Sequence, residues 1–138
     1  MTDPVTPYRL AFEIPALPEL PQRRLTHWAV KRAADTWREA VVIAVGRRKP
    51  KRPLSRAHLT LIRRSSVEPD YDNLVASFKP VVDGLTRSRP NRKGEIIRRA
   101  GVIFDDKPSV IDREYRWEKA PPRHGSIRVE VRGLPDGR

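Results

Sequence analysis

Cysteine is absent from this sequence, which excludes disulfides and thiolate metal sites and suits a reducing compartment. Histidine is scarce: His27, His58 and His124 are scattered without ligand spacing, so no zinc site is expected. No apolar run approaches the roughly twenty residues that a membrane span requires. The opening Met-Thr-Asp-Pro lacks the basic and apolar regions of a signal peptide. The expectation is a soluble, cytoplasmic protein with no membrane partner. Apolar residues are also in short supply, at 38% against 33% charged. The core should be thin, and a partner subunit is expected to supply some of the missing burial. The length of 138 residues suits one domain with one core, so 1–138 is read as a single domain.

Positive charge is what the chain has in abundance. Twenty-nine Lys and Arg face 17 Asp and Glu, a formal net charge of +12. Such a balance points to a polyanionic partner, because phosphate neutralisation by Lys and Arg is the main sequence-independent source of nucleic-acid affinity. The rarer acidic residues are therefore the informative ones. Asp70 and Asp72 sit in Pro69-Asp70-Tyr71-Asp72-Asn73-Leu74, and Asp105 and Asp106 come directly after Phe104. Carboxylates on a phosphate-binding surface oppose binding unless a cation stands between them and the ligand. A hard divalent metal would be that cation, and the combination reads as a nuclease.

Hydrophobic spacing outlines a scaffold for these residues. Leu10, Phe12 and Ile14 alternate within a first strand, 8–14, and Pro15, Pro18 and Pro21 forbid regular structure beyond it. Thr26 caps a helix to about Val45, with Val30, Ala33, Trp37, Ala40, Val41 and Ala44 along one stripe and Gly46 as its stop. A basic linker, 46–54, contains Arg47 and Arg48. Residues 57–63 form a second strand, apolar enough to be buried on both faces. Asn73 to Leu85 reads as a second helix in which Pro80 either makes a kink or begins a new helical turn. The Arg-rich segment 86–100, with Arg87, Arg89, Arg92, Lys93, Arg98 and Arg99, is a loop or a short hairpin around Asn91–Gly94. Strands at 109–118 and 127–131 complete the order β-α-β-α-β-β. The fold class is α+β, a small mixed sheet with two helices packed on it.

Two Asp one residue apart point the same way on an extended backbone, with Cα atoms about 6.5–7 Å apart. If the second and third strands are neighbours, both acidic pairs can meet at one sheet end. Two carboxylates about 6 Å apart repel by roughly 3 kcal/mol at an effective dielectric near 20, and Mg²⁺ reverses the sign of that term. Phosphodiester cleavage needs an activated water, charge neutralisation at phosphorus and help for the departing oxygen, and metal ions can serve all three. Without a metal, Asp72 or Asn73 is simply a helix cap and Asp105-Asp106 a turn. Tyr71, pointing away from the aspartates, reads as a core side chain.

Taken together, Asp70-Tyr71-Asp72-Asn73-Leu74, Phe78-Lys79-Pro80-Val81-Val82-Asp83-Gly84-Leu85 and Gly101-Val102-Ile103-Phe104-Asp105-Asp106 resemble the RusA family of Holliday junction resolvases of bacteria, prophages and phages. The resemblance spans roughly 67–118, with the three blocks in the family's order. It implies a Mg²⁺- or Mn²⁺-dependent endonuclease that resolves four-way DNA junctions as a homodimer. Asp70, Asp72 and Asp106 would be the metal-binding catalytic carboxylates, with Asp105 as a further ligand or positioning group and Lys79 as the catalytic lysine. An alternative role for Lys79 is an ion pair with Asp83, one helical turn away. Lys79 falls about one turn later than in short family members, and 86–100 is longer than in compact ones. Arg47, Arg48 and the basic residues of 87–99 are expected to guide phosphate backbones. Two other readings stay open. Pro69-Asp70 with Asp105-Asp106-Lys107 spells a restriction-like nuclease signature using Lys107, and the chain could be a basic nucleic-acid-binding protein without catalysis.

Overall fold

The computed structural model describes residues 7–20 and 26–135. Pro21, expected among the breakers after the first strand, lies outside the described residues. The elements are β1 (Arg9–Ile14), α1 (His27–Val45) with a 3₁₀ turn at Gly46–Arg48, β2 (Ala57–Ser65), α2 (Tyr71–Ser77), α3 (Lys79–Leu85), the two-residue strands β3 (Arg89–Pro90) and β4 (Ile96–Ile97), β5 (Ile111–Lys119) and β6 (Ser126–Gly133). The fold is α+β. Four strands form one mixed sheet in the order β1-β6-β2-β5, and β3 and β4 form a separate hairpin. β6 runs antiparallel to both β1 and β2, while β2 and β5 run parallel.

Period-two patterning decides which sheet face meets the helices. Leu10 and Phe12, Ile127, Val129 and Val131, and Leu59 and Leu61 point to one side and are buried there. Against them pack Trp37, Val41 and Val45 of α1, and Val81, Val82 and Leu85 of α3. Thr60 and Ile62, on the opposite face of β2, are also buried, so this central strand is covered on both sides. The remainder of that outer face is a charged lattice. Arg64 bridges Glu13 at 2.7 Å and Glu118 at 2.8 Å, and Arg128 reaches Glu130 at 3.1 Å. Exposed pairs of this kind contribute about 0.2–1 kcal/mol each, so the apolar face holds the fold.

The first helix begins as its capping residue dictates: Thr26 Oγ1 accepts the Ala29 N–H at 3.1 Å. It ends at Gly46, whose φ of 53° favours a residue without a Cβ. Its inward stripe differs from the sequence expectation at one end. Val30 is 52% exposed, and burial runs instead through Trp37, Val41, Val42 and Val45. Gly84 marks the close crossing of α1 and α3, since a Cβ there would lie 2.9 Å from Val41 Cβ.

Pro80 begins a new helix. The expected second helix is broken at Phe78, and Pro80 sits in the first turn of α3, where the missing N–H costs nothing. Phe78 itself is fully buried and seats the joint on the sheet. Residues 86–100 carry a hairpin. Asn91 Oδ1 accepts the N–H groups of Lys93 and Glu95 at 2.9 and 3.0 Å, closing the turn.

Candidate metal and nucleic-acid site

α2 starts at Tyr71, two residues earlier than its apolar spacing suggested, and this changes the Asp-x-Asp geometry. Asp70 is the N-cap residue with φ −59° and ψ 149°, and Asp72 lies in the first helical turn. The two do not share an extended backbone. Asp70 nevertheless makes no side-chain cap hydrogen bond. Neither its carboxylate nor that of Asp72 has a hydrogen bond or ion pair among the described residues, and both residues are exposed. Asp70 borders a groove of about 320 Å³ that it shares with Arg63, Ser65 and Glu68. Arg63 is 5% exposed and donates from Nη1 to the Pro18 carbonyl at 2.8 Å. Burial lowers its pKa and Glu19 works against that.

The second pair is built differently. The Asp106 backbone N–H donates to Asp105 Oδ1 at 2.7 Å. Lys107 Nζ lies 3.9 Å from Asp105 Oδ2, and the Asp105 side chain is only 13% exposed. The Asp105 pKa is lowered by the Asp106 backbone N–H first, then by the Asp106 side chain, Lys107 and Arg89, against a smaller effect of burial. Arg113 Nη2 donates to the Asp106 carbonyl and anchors this turn to β5.

The two pairs leave the sheet from opposite ends. β2 and β5 are neighbours, as a shared site would require, but they are parallel, with Ala57 opposite Ile111 and Ser65 opposite Lys119. Asp70 comes after the end of β2, whereas Asp106 precedes the start of β5. The helix after β2 then folds back over β5. Tyr71 meets Tyr115 edge-on at 6.3 Å between centroids, and Phe78 meets the same ring at 6.1 Å. Tyr115 and Arg113, two residues apart, lie on one face of β5. Both acidic pairs are thus tied to that face, one through Tyr115 and the other through Arg113. Among the described residues, no three His, Asp or Glu side chains are grouped to hold a metal ion.

Other expectations are redrawn by these placements. Tyr71 is 64% exposed and is not a core residue, because it occupies the outward first turn of α2. Lys79 does not pair with Asp83; Arg38 does, at 3.3 Å. Lys79 borders an apolar hollow of about 300 Å³ with Trp37, Ala76 and Pro80, since the break at Phe78 swings α3 against α1. Arg48 is committed to the fold, donating to the carbonyls of Ala11 at 3.1 Å and Ala44 at 2.7 Å. Arg47, Arg92, Lys93 and Arg98 are exposed. Arg87 and Arg99 are half-buried, and they and Arg89 border one cleft. Sequence reasoning missed Arg113 and Phe104. Arg113 could have been found as the one cation within the apolar parity of Ile111, Tyr115 and Trp117.

No helix among the described residues is long and apolar enough to cross a membrane. No protein-family model matches the chain, and no curated protein matches it.

Proposed function

We propose that the chain is a metal-dependent endodeoxyribonuclease of the RusA type, cutting paired strands of a four-way DNA junction as a homodimer. The observation that carries this reading is Asp70. It stands at a helix N-cap, yet its carboxylate is not spent on the helix, and among the described residues Asp72 beside it is equally unpartnered. In a chain of net charge +12, two idle carboxylates invite a cation. Their hard oxygen donors fit Mg²⁺ or Mn²⁺, and Asp106 and Asp105 would complete the set. Mg²⁺ commonly takes one or two carboxylates plus water and substrate phosphate, and when bound it supplies water activation and charge neutralisation at phosphorus.

The chain's own residues account for the rest of the reading. Arg87, Arg89 and Arg99, together with the exposed Arg92, Lys93, Arg98 and Arg47, attract phosphate backbones through charge and shape without reading bases. A junction has approximate two-fold symmetry, so two isologous subunits would present one site to each of two strands. Lys107, at 3.9 Å from Asp105, favours a second reading in which it, and not Lys79, is the lysine of a restriction-like centre.

A labelled synthetic four-way junction and a matching linear duplex, each with and without Mg²⁺, test the reading. Metal-dependent cutting of the junction at symmetric positions is expected. Cutting of neither substrate defeats the nuclease and leaves a non-catalytic nucleic-acid-binding protein. Equal cutting of both removes junction selectivity.

A further inference from the structure

Between α3 and the β3–β4 hairpin lies a cleft of about 330 Å³ bordered by three guanidinium groups, Arg87, Arg89 and Arg99, and a single carboxylate, Asp83. That carboxylate is already engaged, with Arg38 Nη2 at 3.3 Å. The cleft therefore carries a net positive charge at close quarters. The Arg99 pKa is lowered by burial first and then by Arg38 and Arg89, with Asp83 and Asp35 opposing. Arg87 Nε is buried without a hydrogen-bond partner among the described residues. Buried donors in folded proteins are nearly always paired, so this one calls for an acceptor.

The Arg87 fork is held in place. The Arg87 guanidinium carbon lies 3.9 Å from the Phe104 ring centroid, which limits its swing. The arms of the hairpin are tied by the Arg99 N–H donating to Ser88 Oγ at 2.9 Å. Rigid, planar guanidinium groups match the oxygens of a tetrahedral phosphate and bind it by charge-assisted hydrogen bonds. The geometry points to a phosphate-binding cleft in which Arg87, Arg89 and Arg99 seat one backbone phosphate of a nucleic-acid strand on its way to Asp105. The anion site stands on the cleft alone, whereas assigning the phosphate to nucleic acid rests on the proposed function.

Binding without cleavage separates the two. In EDTA, affinity for a labelled duplex is measured against salt for the wild type, Arg89→Ala and Arg116→Ala; Arg116 is exposed on the sheet face turned away from the helices, where it pairs with Glu114. Arg89→Ala is expected to reduce the slope of log K against log salt by about 0.9, the loss of one phosphate contact. Arg116→Ala should change it by less than half as much. An unchanged slope for Arg89→Ala, or equal changes for the two variants, overturns the assignment to a nucleic-acid phosphate. Inorganic phosphate at matched ionic strength should also raise the melting temperature above that in chloride, for the wild type and not for Arg89→Ala. Absence of that difference overturns the anion site itself.

Discussion

Among the described residues Asp70 and Asp72 have no hydrogen-bond or ion-pair partner, whereas Asp105 is shielded and compensated by the Asp106 N–H, Lys107 and Arg89. Both pairs are tied to the same face of β5. The difference teaches that carboxylates in one sequence pattern can be poised for opposite tasks. The first pair has its charge still to be satisfied from outside the chain. The second has much of its charge satisfied from within and is held in shape before any ligand arrives.

The largest expected effect breaks the comparison by removing what ties the first pair to β5. Phe78 is fully buried and packs against Tyr115, so Phe78→Ala should cost about 3–5 kcal/mol, read by chemical denaturation. It should impair any activity that depends on the first pair.

Asp70→Asn and Asp72→Asn isolate chemistry from stability. Each should reduce metal-dependent cleavage by on the order of 10²-fold or more, comparable to losing a charge-stabilising group at an active centre. Folding stability should move by no more than about 1 kcal/mol, since Asp72 has only the α2 terminus to favour it. Unchanged turnover in single-turnover assays would remove these two residues from the site.

The lysines sharpen the contrast between the two ends. If Lys107 serves the centre, Lys107→Ala loses on the order of 10²-fold in turnover and Lys79→Ala stays near the wild type. The reverse result restores the family assignment and requires α3 to turn Lys79 away from the apolar hollow beside Trp37.

Smaller effects are expected from the tethers and from pH. Tyr71→Ala removes an edge-on contact with Tyr115 and should cost about 0.5–1.5 kcal/mol. The folded-state pKa of Asp105 is below its unfolded value, so its stabilising contribution is complete above an unfolded pKa of about 4 and is lost as pH falls through the lower folded value. Asp105→Asn should therefore flatten the acid limb of stability against pH. Melting curves recorded from neutral pH down to strong acid check this, and an unchanged limb would show that the Asp106 N–H does not stabilise the carboxylate.

Much of the scaffold was legible from local rules. Thr26 and Gly46 bound α1 because caps act over one turn, and alternation located β1 and β6 because burial there has a period of two. Pro80 announced a discontinuity, but whether it made a kink or a fresh start depended on how Phe78 packs. The parallel pairing of β2 with β5 could not be read, since nothing in either strand encodes its partner's direction. The same limit hid the structural use of Arg48, whose acceptor at Ala11 is 37 residues away in sequence. It also hid the direction of Lys79, set by a helix crossing at Gly84. The types of residue at the candidate site were readable. Their mutual placement depended on tertiary pairing.

The position of β6 has a further consequence for how the molecule is made. It follows β1, β2 and β5 in chain order, yet it lies between β1 and β2, with Leu10 opposite Val131 and Leu59 opposite the same residue. While the chain is still emerging from the ribosome, the two strands that will flank β6 have nothing between them. The sheet can close only after residues 126–133 have been produced. A nascent chain stalled before residue 126 would thus present bare strand edges on a highly cationic polymer, and protease sensitivity should disappear abruptly as residues 126–133 are released.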